Sequence, residues 1–184
     1  GMATEADFVI GQPDKYRSLR NYPFNKVDQR NQGSLRFPVA AAVDDGGNLW
    51  VADQANSRVL RFPSPFDYKG SLPMPADLVI GQSNFTVAAT DATSRTMARP
   101  SGLAFTAGGK LLVADGRHTR VLLFKPPFQN GMAASIVIGQ PDFGTITPGN
   151  AANRLSSPQE ISTDTDDRLY VADALNNRIQ IFDR

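Results

Sequence analysis

The chain has 184 residues, 41% of them apolar, which is enough for one ordinary domain with a sizeable core and is not the composition of a disordered chain. Nineteen Lys and Arg against eighteen Asp and Glu leave a formal charge of +1, so composition gives no concentrated basic surface and nucleic acid is not expected as a partner. The absence of cysteine excludes disulfides and thiolate metal sites, and no apolar run approaches the roughly 18 residues of a membrane-spanning helix, so no membrane partner is expected either.

At the N-terminus, Gly1 before Met2 reads as a remnant of expression. With Met2 as natural initiator the protein is cytoplasmic, whereas a signal peptide removed from a secreted or periplasmic protein leaves the same sequence. The first element is an apolar phrase closed by Gly-Gln, ADFVIGQPD at Ala6 to Asp14, which returns as ADLVIGQSNF at Ala76 to Phe85 and ASIVIGQPDF at Ala134 to Phe143. Each predicts a short strand, over 6–12, 76–82 and 134–140.

After each of these strands comes a long link: Pro13 to Arg36, Ser83 to Ala98 and Pro141 to Ser156. All exceed the usual connection of about four to six residues, and long loops on a rigid scaffold are where binding generally resides. The first carries Lys15, Arg17, Arg20, Lys26, Arg30 and Arg36 interleaved with Tyr16, Tyr22 and Phe24, a composition that suits either a solvated loop or an acidic or aromatic ligand.

The longest repeated phrase follows. FPVAAAVDDGGNLWVADQANSRVLRF at Phe37 to Phe62 recurs as RPSGLAFTAGGKLLVADGRHTRVLLF at Arg99 to Phe124 and as SPQEISTDTDDRLYVADALNNRIQIF at Ser157 to Phe182. In every copy a proline (Pro38, Pro100, Pro158) stands fifteen residues before the Asp of Val-Ala-Asp (Asp53, Asp115, Asp173), and an arginine (Arg58, Arg120, Arg178) stands five after it. A constant internal spacing of this kind announces a repeat architecture. Each copy predicts three strands: one after the proline, then LWVAD or its equivalent, then RVLRF or its equivalent, the last two apolar on both faces. Glycines 46, 47, 108 and 109 suit tight turns between the first and second strands, while the third copy has Asp164-Thr165-Asp166-Asp167 there. Pro63, Pro65, Pro126 and Pro127 interrupt the ladder before the fourth strand.

Four-strand meanders with two apolar faces must stack on one another, as propeller blades do. The pattern P-x-x-A-x-x-D-x-x-G-x-L-W-V-A-D-x-x-N-x-R-V-L-x-F, read from Pro38 to Phe62 and echoed twice, resembles the NHL repeat. That resemblance implies an all-β, commonly six-bladed propeller, with the chain as a single unit over 1–184. The second copy departs at Phe105-Thr106 and His118, the third at Thr163-Asp164. Twelve strands make three blades, too few for a ring of typically four to eight. The expectation is therefore a homodimer with inter-chain strand exchange, in which Phe8 to Gln12 of each chain pairs beside Arg178 to Phe182 of the other and closes a six-bladed ring.

The repeated Asp and Arg residues, with Asn56, Asn176 and Asn177, read as turn fixtures. More telling are positions where one copy breaks the pattern. Glu160 aligns with Ala40 and Gly102 near the predicted axial channel, beside Gln159, and could hold a metal or meet a cationic group. His118 and Arg117 sit in a turn expected at the surface. These four, with Arg17 and Arg20 of the first loop, are the ligand-binding candidates, and Glu160 is the metal candidate. No HExxH, Gly-x-Ser-x-Gly or phosphate loop is present. The reading is thus a non-catalytic scaffold, without cofactor, that binds a protein, peptide or glycan on its loop-rich face. The alternative, by analogy with propellers of the gluconolactonase and paraoxonase type, is a metal-dependent lactonase or hydrolase with Ca2+ in the axial channel at Glu160.

Overall fold

A computed structural model describes residues 3–183; Gly1, Met2 and Arg184 lie outside the described residues. The first sheet is formed by β1 (Pro38–Val43), β2 (Leu49–Asp53), β3 (Arg58–Phe62) and β4 (Leu78–Ile80), paired antiparallel in chain order. The second repeats it with β5 (Pro100–Phe105), β6 (Leu111–Asp115), β7 (Arg120–Phe124) and β8 (Ile136–Ile138), and the third has β9 (Pro158–Thr163), β10 (Leu169–Asp173) and β11 (Arg178–Phe182). The only helical pieces among the described residues are 3-10 turns, at Gln54–Asn56, Pro65–Asp67, Gly116–His118 and Ala174–Asn176.

Strand chemistry explains the stacking. Alternate side chains of a strand face opposite ways, and in the first sheet Trp50, Ala52, Val59 and Ile80 face Leu103, Leu111, Val113 and Phe124 of the second. Trp50, fully buried, meets Phe105 and Phe128 edge-on at 5.6 and 4.9 Å. A second apolar layer, with Ala114, Val121, Ile161 and Val171, joins the second sheet to the third. The fit is closest along the inner strands. A Cβ on Gly102 of β5 would lie 2.7 Å from the Gln159 carbonyl oxygen and 3.0 Å from the Ile161 nitrogen of β9, so the two inner backbones touch where no side chain intervenes.

The turns between the first two strands of each sheet share one device. Asp44 Oδ1 accepts the Gly46 and Asn48 N–H groups and Asp164 Oδ1 accepts those of Asp166 and Arg168. Thr106 Oγ1 accepts Lys110 N–H in the second copy. The left-handed residue is Gly47 or Gly109 in two copies and Asp167, with φ of 61°, in the third. Aspartate tolerates that conformation better than most residues, so the turn survives its missing glycine.

The N-terminal phrase departs from expectation. Phe8 to Gln12 is not a strand; it runs as irregular chain that bends from Ile10 on. Its place is nonetheless that of an outer strand. Gly11 (φ 87°), Gly81 (83°) and Gly139 (85°) each leave room for an apolar plug, Leu35, Met97 and Leu155, which a Cβ would meet at 2.8, 2.5 and 2.4 Å. Phe8 and Ile10 pack on the outer face of the first sheet beside Leu35 and Tyr68. The seat is formed, but no strand of the described chain lies alongside to pair with it, and pairing is what makes a strand.

Candidate functional site

The residues common to all three copies are consumed by internal bonds. Asp53 Oδ1 accepts Arg36 N–H at 2.7 Å, while Oδ2 takes Asn56 Nδ2 at 2.7 Å and Arg58 Nε at 2.8 Å. Asp115 repeats this with Ala98 N–H at 2.8 Å and Arg120 Nε at 2.9 Å, and Asp173 with Ser156 N–H at 2.6 Å, Asn176 at 2.7 Å and Arg178 at 2.8 Å. Each arginine then donates to carbonyls of the long link, Ser34 at 2.7 Å, Thr96 at 2.9 Å and Arg154 at 3.0 Å. One carboxylate and one guanidinium thus pin each long link over its own turn. Burial pushes the Asp53 carboxyl up, against the pull of Arg58 and of the hydrogen bonds from Arg36, Asn56 and Arg58.

His118 belongs to this internal set. The expected surface turn is corrected: His118 is 3% exposed, with Nδ1 2.9 Å from Asp115 Oδ2 and Nε2 3.0 Å from the Thr90 carbonyl oxygen. It stands where Asn56 and Asn176 stand in the other copies, and its longer ring spans from the carboxylate to the link. Arg17 is exposed and 3.7 Å from Asp14, and Arg20 is exposed on the same loop. That loop is docked on the 3-10 turn side through Asn56 Nδ2, which donates to Asn21 Oδ1 at 2.7 Å.

The remaining candidates converge. Arg117, Gln159 and Glu160 line one cavity of about 690 Å³ with Phe37, Val39, Gln54, Arg99, Ser101, Gly116 and Ser157. It opens at the inner strands, on the side of the 3-10 turns. Its rim is built by Phe37, Arg99 and Ser157, the residues immediately before the repeat prolines, held at φ of 56°, 59° and 53°. A non-glycine residue there costs on the order of 1–3 kcal/mol and persists only where its surroundings impose it. The Asp-to-link hydrogen bonds impose it, since they fix the residue just before in the first copy and its equivalents in the others.

Sequence reading missed the rim. A residue preceding proline is normally extended, so Phe37, Arg99 and Ser157 looked like lead-ins to strands. Their dissimilarity across three otherwise matched copies was the available signal. Glu160 lines the cavity and also a shallow depression on the open face of the third sheet, and Ile161 N–H donates to its Oε1 at 3.3 Å. Among the described residues no group of three or more His, Asp and Glu could hold a metal ion. Calcium takes six to eight oxygen ligands, and Glu160 is the single carboxylate lining this cavity, so the residues of this chain do not make the calcium site of the lactonase alternative.

Comparison with known proteins agrees with this architecture. Residues 35–62 and 155–182 match the NHL repeat. The middle copy, which holds Arg99, Arg117 and His118, lies outside those matches. No protein of curated function is detectably similar. Among solved structures, hydrazine synthase of Kuenenia stuttgartiensis is similar over 81% of this chain and 33% of its own, with 16% identity and a TM-score of 0.53, which supports the fold alone. A streptogramin B lyase aligns over 80% of this chain and 40% of its own at 10% identity and a TM-score of 0.49. A Bacteroides thetaiotaomicron protein of unknown function aligns over 81% and 36% at 19% identity and a TM-score of 0.49. The chain therefore spans about two fifths or less of the structures it matches.

Proposed function

We propose that this NHL-repeat chain is a non-catalytic binding scaffold whose loop-rich face takes a protein or peptide ligand at the cavity of the inner strands. One observation carries the reading: the aspartate and arginine shared by the repeats are spent on internal bonds, whereas one set of positions at which the repeats differ lines a single cavity. Position by position the rim reads Phe37, Arg99, Ser157, and the first strand turn reads Val39, Ser101, Gln159. Structural roles would favour the same residue three times. A concave surface lined by side chains that differ from copy to copy is what recognition requires.

The assembly proposed with it is a six-bladed ring closed by a second copy. Supporting this, Ile179 and Ile181 of β11 are 64% and 57% exposed, whereas Val59 and Val121, the equivalents of Ile179, are fully buried. The first sheet meanwhile carries Phe8 and Ile10 in the seat of an outer strand.

The test is panning of a random peptide library, displayed in two formats, one with each peptide's C-terminus fused to its carrier and one with the C-terminus free, on the intact protein and on the F37A/R99A/R117A variant. Enriched peptides that lose binding to the variant are expected. Absence of enrichment in both formats, or peptides indifferent to the three substitutions, would overturn the reading.

A further inference from the structure

Arg99 and Arg117 stand side by side. Arg117 N–H donates to the Ala98 carbonyl at 3.2 Å, and the Arg99 carbonyl oxygen lies 3.4 Å from where a Cβ on Gly116 would be, so the two side chains spring from neighbouring backbone at the rim of one cavity. The same backbone bond occurs in the other copies, Ala55 N–H to Arg36 and Leu175 N–H to Ser156. There it juxtaposes Phe37 with Ala55 and Ser157 with Leu175, so only the middle copy puts two cations together. Both are exposed, and neither guanidinium has a hydrogen-bond or ion-pair partner among the described residues, in contrast to Arg58, Arg120 and Arg178. Two unpaired forks of donors aimed from adjacent positions match a carboxylate bidentately, and like charges held together favour an anion between them.

The two neighbouring copies complete a pattern. On the first sheet's side the cavity wall is apolar, with Phe37 68% and Val39 40% exposed, large surfaces left facing solvent. On the third sheet's side stand Glu160, Gln159 and Ser157, which accept from an N–H or an ammonium group. A cavity of about 690 Å³ has room for a ligand of several functional groups.

We infer that this cavity binds an apolar amino-acid residue with a free carboxylate, its carboxylate on Arg99 and Arg117, its side chain against Phe37 and Val39, and its nitrogen toward Glu160. A free amino acid and the C-terminal residue of a peptide share that chemistry. The inference rests on the proposed binding role of this face, and specifies its ligand.

Isothermal titration with three probes separates the outcomes: phenylalanine, N-acetylphenylalanine as the mimic of a peptide terminus, and phenylalaninamide, which lacks the carboxylate. Saturable binding of at least one carboxylate probe is expected, weaker by about tenfold or more for the amide. R99Q/R117Q should lose at least tenfold, with its fold verified by circular dichroism. K69Q/K125Q, which removes two charges outside the cavity, should lose none. Free phenylalanine binding more tightly than the acetylated form, with that advantage erased in E160Q, identifies an amino acid. Acetylated binding equal or tighter identifies a peptide terminus. No saturable binding of either carboxylate, equal binding of the amide, or indifference to R99Q/R117Q overturns the inference. Peptides displayed with their C-terminus fused have no free C-terminal carboxylate, so that format stands apart: peptides enriched in it, with no response to these probes, would sink the ligand and keep the scaffold.

Discussion

At the scale of single residues, one carboxylate organises each repeat. Asp115 has no exposure, and its oxygens answer three donors from three places: the link at Ala98, the turn at His118 and the strand at Arg120. Replacing it by alanine leaves the buried Arg120 without its countercharge, and breaking one side of a buried pair costs about 3–5 kcal/mol. Urea denaturation of Asp115→Ala should show a loss in that range; a loss under 1 kcal/mol would mean the pair is not holding the link. His118→Asn, by contrast, should stay within about 1 kcal/mol of the parent, because Asn56 and Asn176 make the same bond to Asp53 and Asp173. The Asp, Arg and Asn roles were legible because three aligned copies exposed a fixed spacing. His118 was not, since its partner Thr90 lies on a link whose sequence differs from copy to copy, and spacing says nothing about a contact made 28 residues away.

At the scale of elements, the first turn of the first and third sheets links structure to pH. Burial pushes the Asp44 carboxyl up, but hydrogen bonds from the Trp50 indole, the Asn48 side chain and backbone and Gly46 N–H outweigh it, leaving the group below its ordinary value of 3.8. For Asp164 burial again acts upward, and the N–H of Arg168, the Tyr170 hydroxyl, Asp166 N–H and the charge of Arg168 bring it lower. A carboxyl depressed in the folded state stabilises it above the unfolded value, and that contribution disappears as pH falls through the folded value. The urea midpoint should therefore drop as pH goes below about 3.8. The D44N/D164N variant should start less stable at neutral pH and lose less on acidification. Parallel pH profiles for variant and parent would contradict this assignment. The first turn was foreseeable from its glycines. The third was less so, because Asp167 takes the left-handed position that the first two copies give to glycine.

At the scale of the whole molecule, the faces at the two ends of the stack are unlike and complementary. The third sheet offers Tyr170, Ala172, Ile179 and Ile181; the first offers Ala41 and Val43 on the side turned from its neighbour, paired with Val51 and Leu49 of its outer apolar layer. β3 pairs with β4 as Val59 to Ile80, Leu60 to Val79 and Arg61 to Leu78, and β7 with β8 in the same register. Transferred to β11, that register sets Ile179, Gln180 and Ile181 opposite Ile10, Val9 and Phe8 of the partner subunit. Hydrogen bonds extend the match. Gln82 Nε2 donates to the Ser57 carbonyl at 2.6 Å and Gln140 Nε2 to that of Thr119 at 3.1 Å; in the proposed ring Gln12 would make the same bond to the Asn177 carbonyl of the other copy. Light scattering should give twice the chain mass, and I10C with I179C in one chain should form a disulfide-linked dimer on oxidation. I179D/I181D should abolish the dimer. A well-folded, monodisperse monomer would remove this mode of closure. The repeat count was readable from sequence; the irregular path of Phe8 to Gln12 was not, because a strand is defined by a neighbour and no strand of the described residues lies beside this phrase.

The left-handed rim has a consequence for divergence. Phe37, Arg99 and Ser157 share one backbone conformation although their side chains have nothing in common, since the conformation is imposed from behind by Asp53, Asp115 and Asp173. Backbone and side chain are thereby uncoupled at these three places. After the duplication that made the repeats, each rim position could drift on its own: an exposed side chain there contributes little to folding, and the strain is much the same for any residue with a Cβ. A new specificity could be assembled one substitution at a time, with every intermediate still folded. On such a scaffold the older letters of the repeat are those that cannot vary, and a descendant's ligand would be written in the few that can.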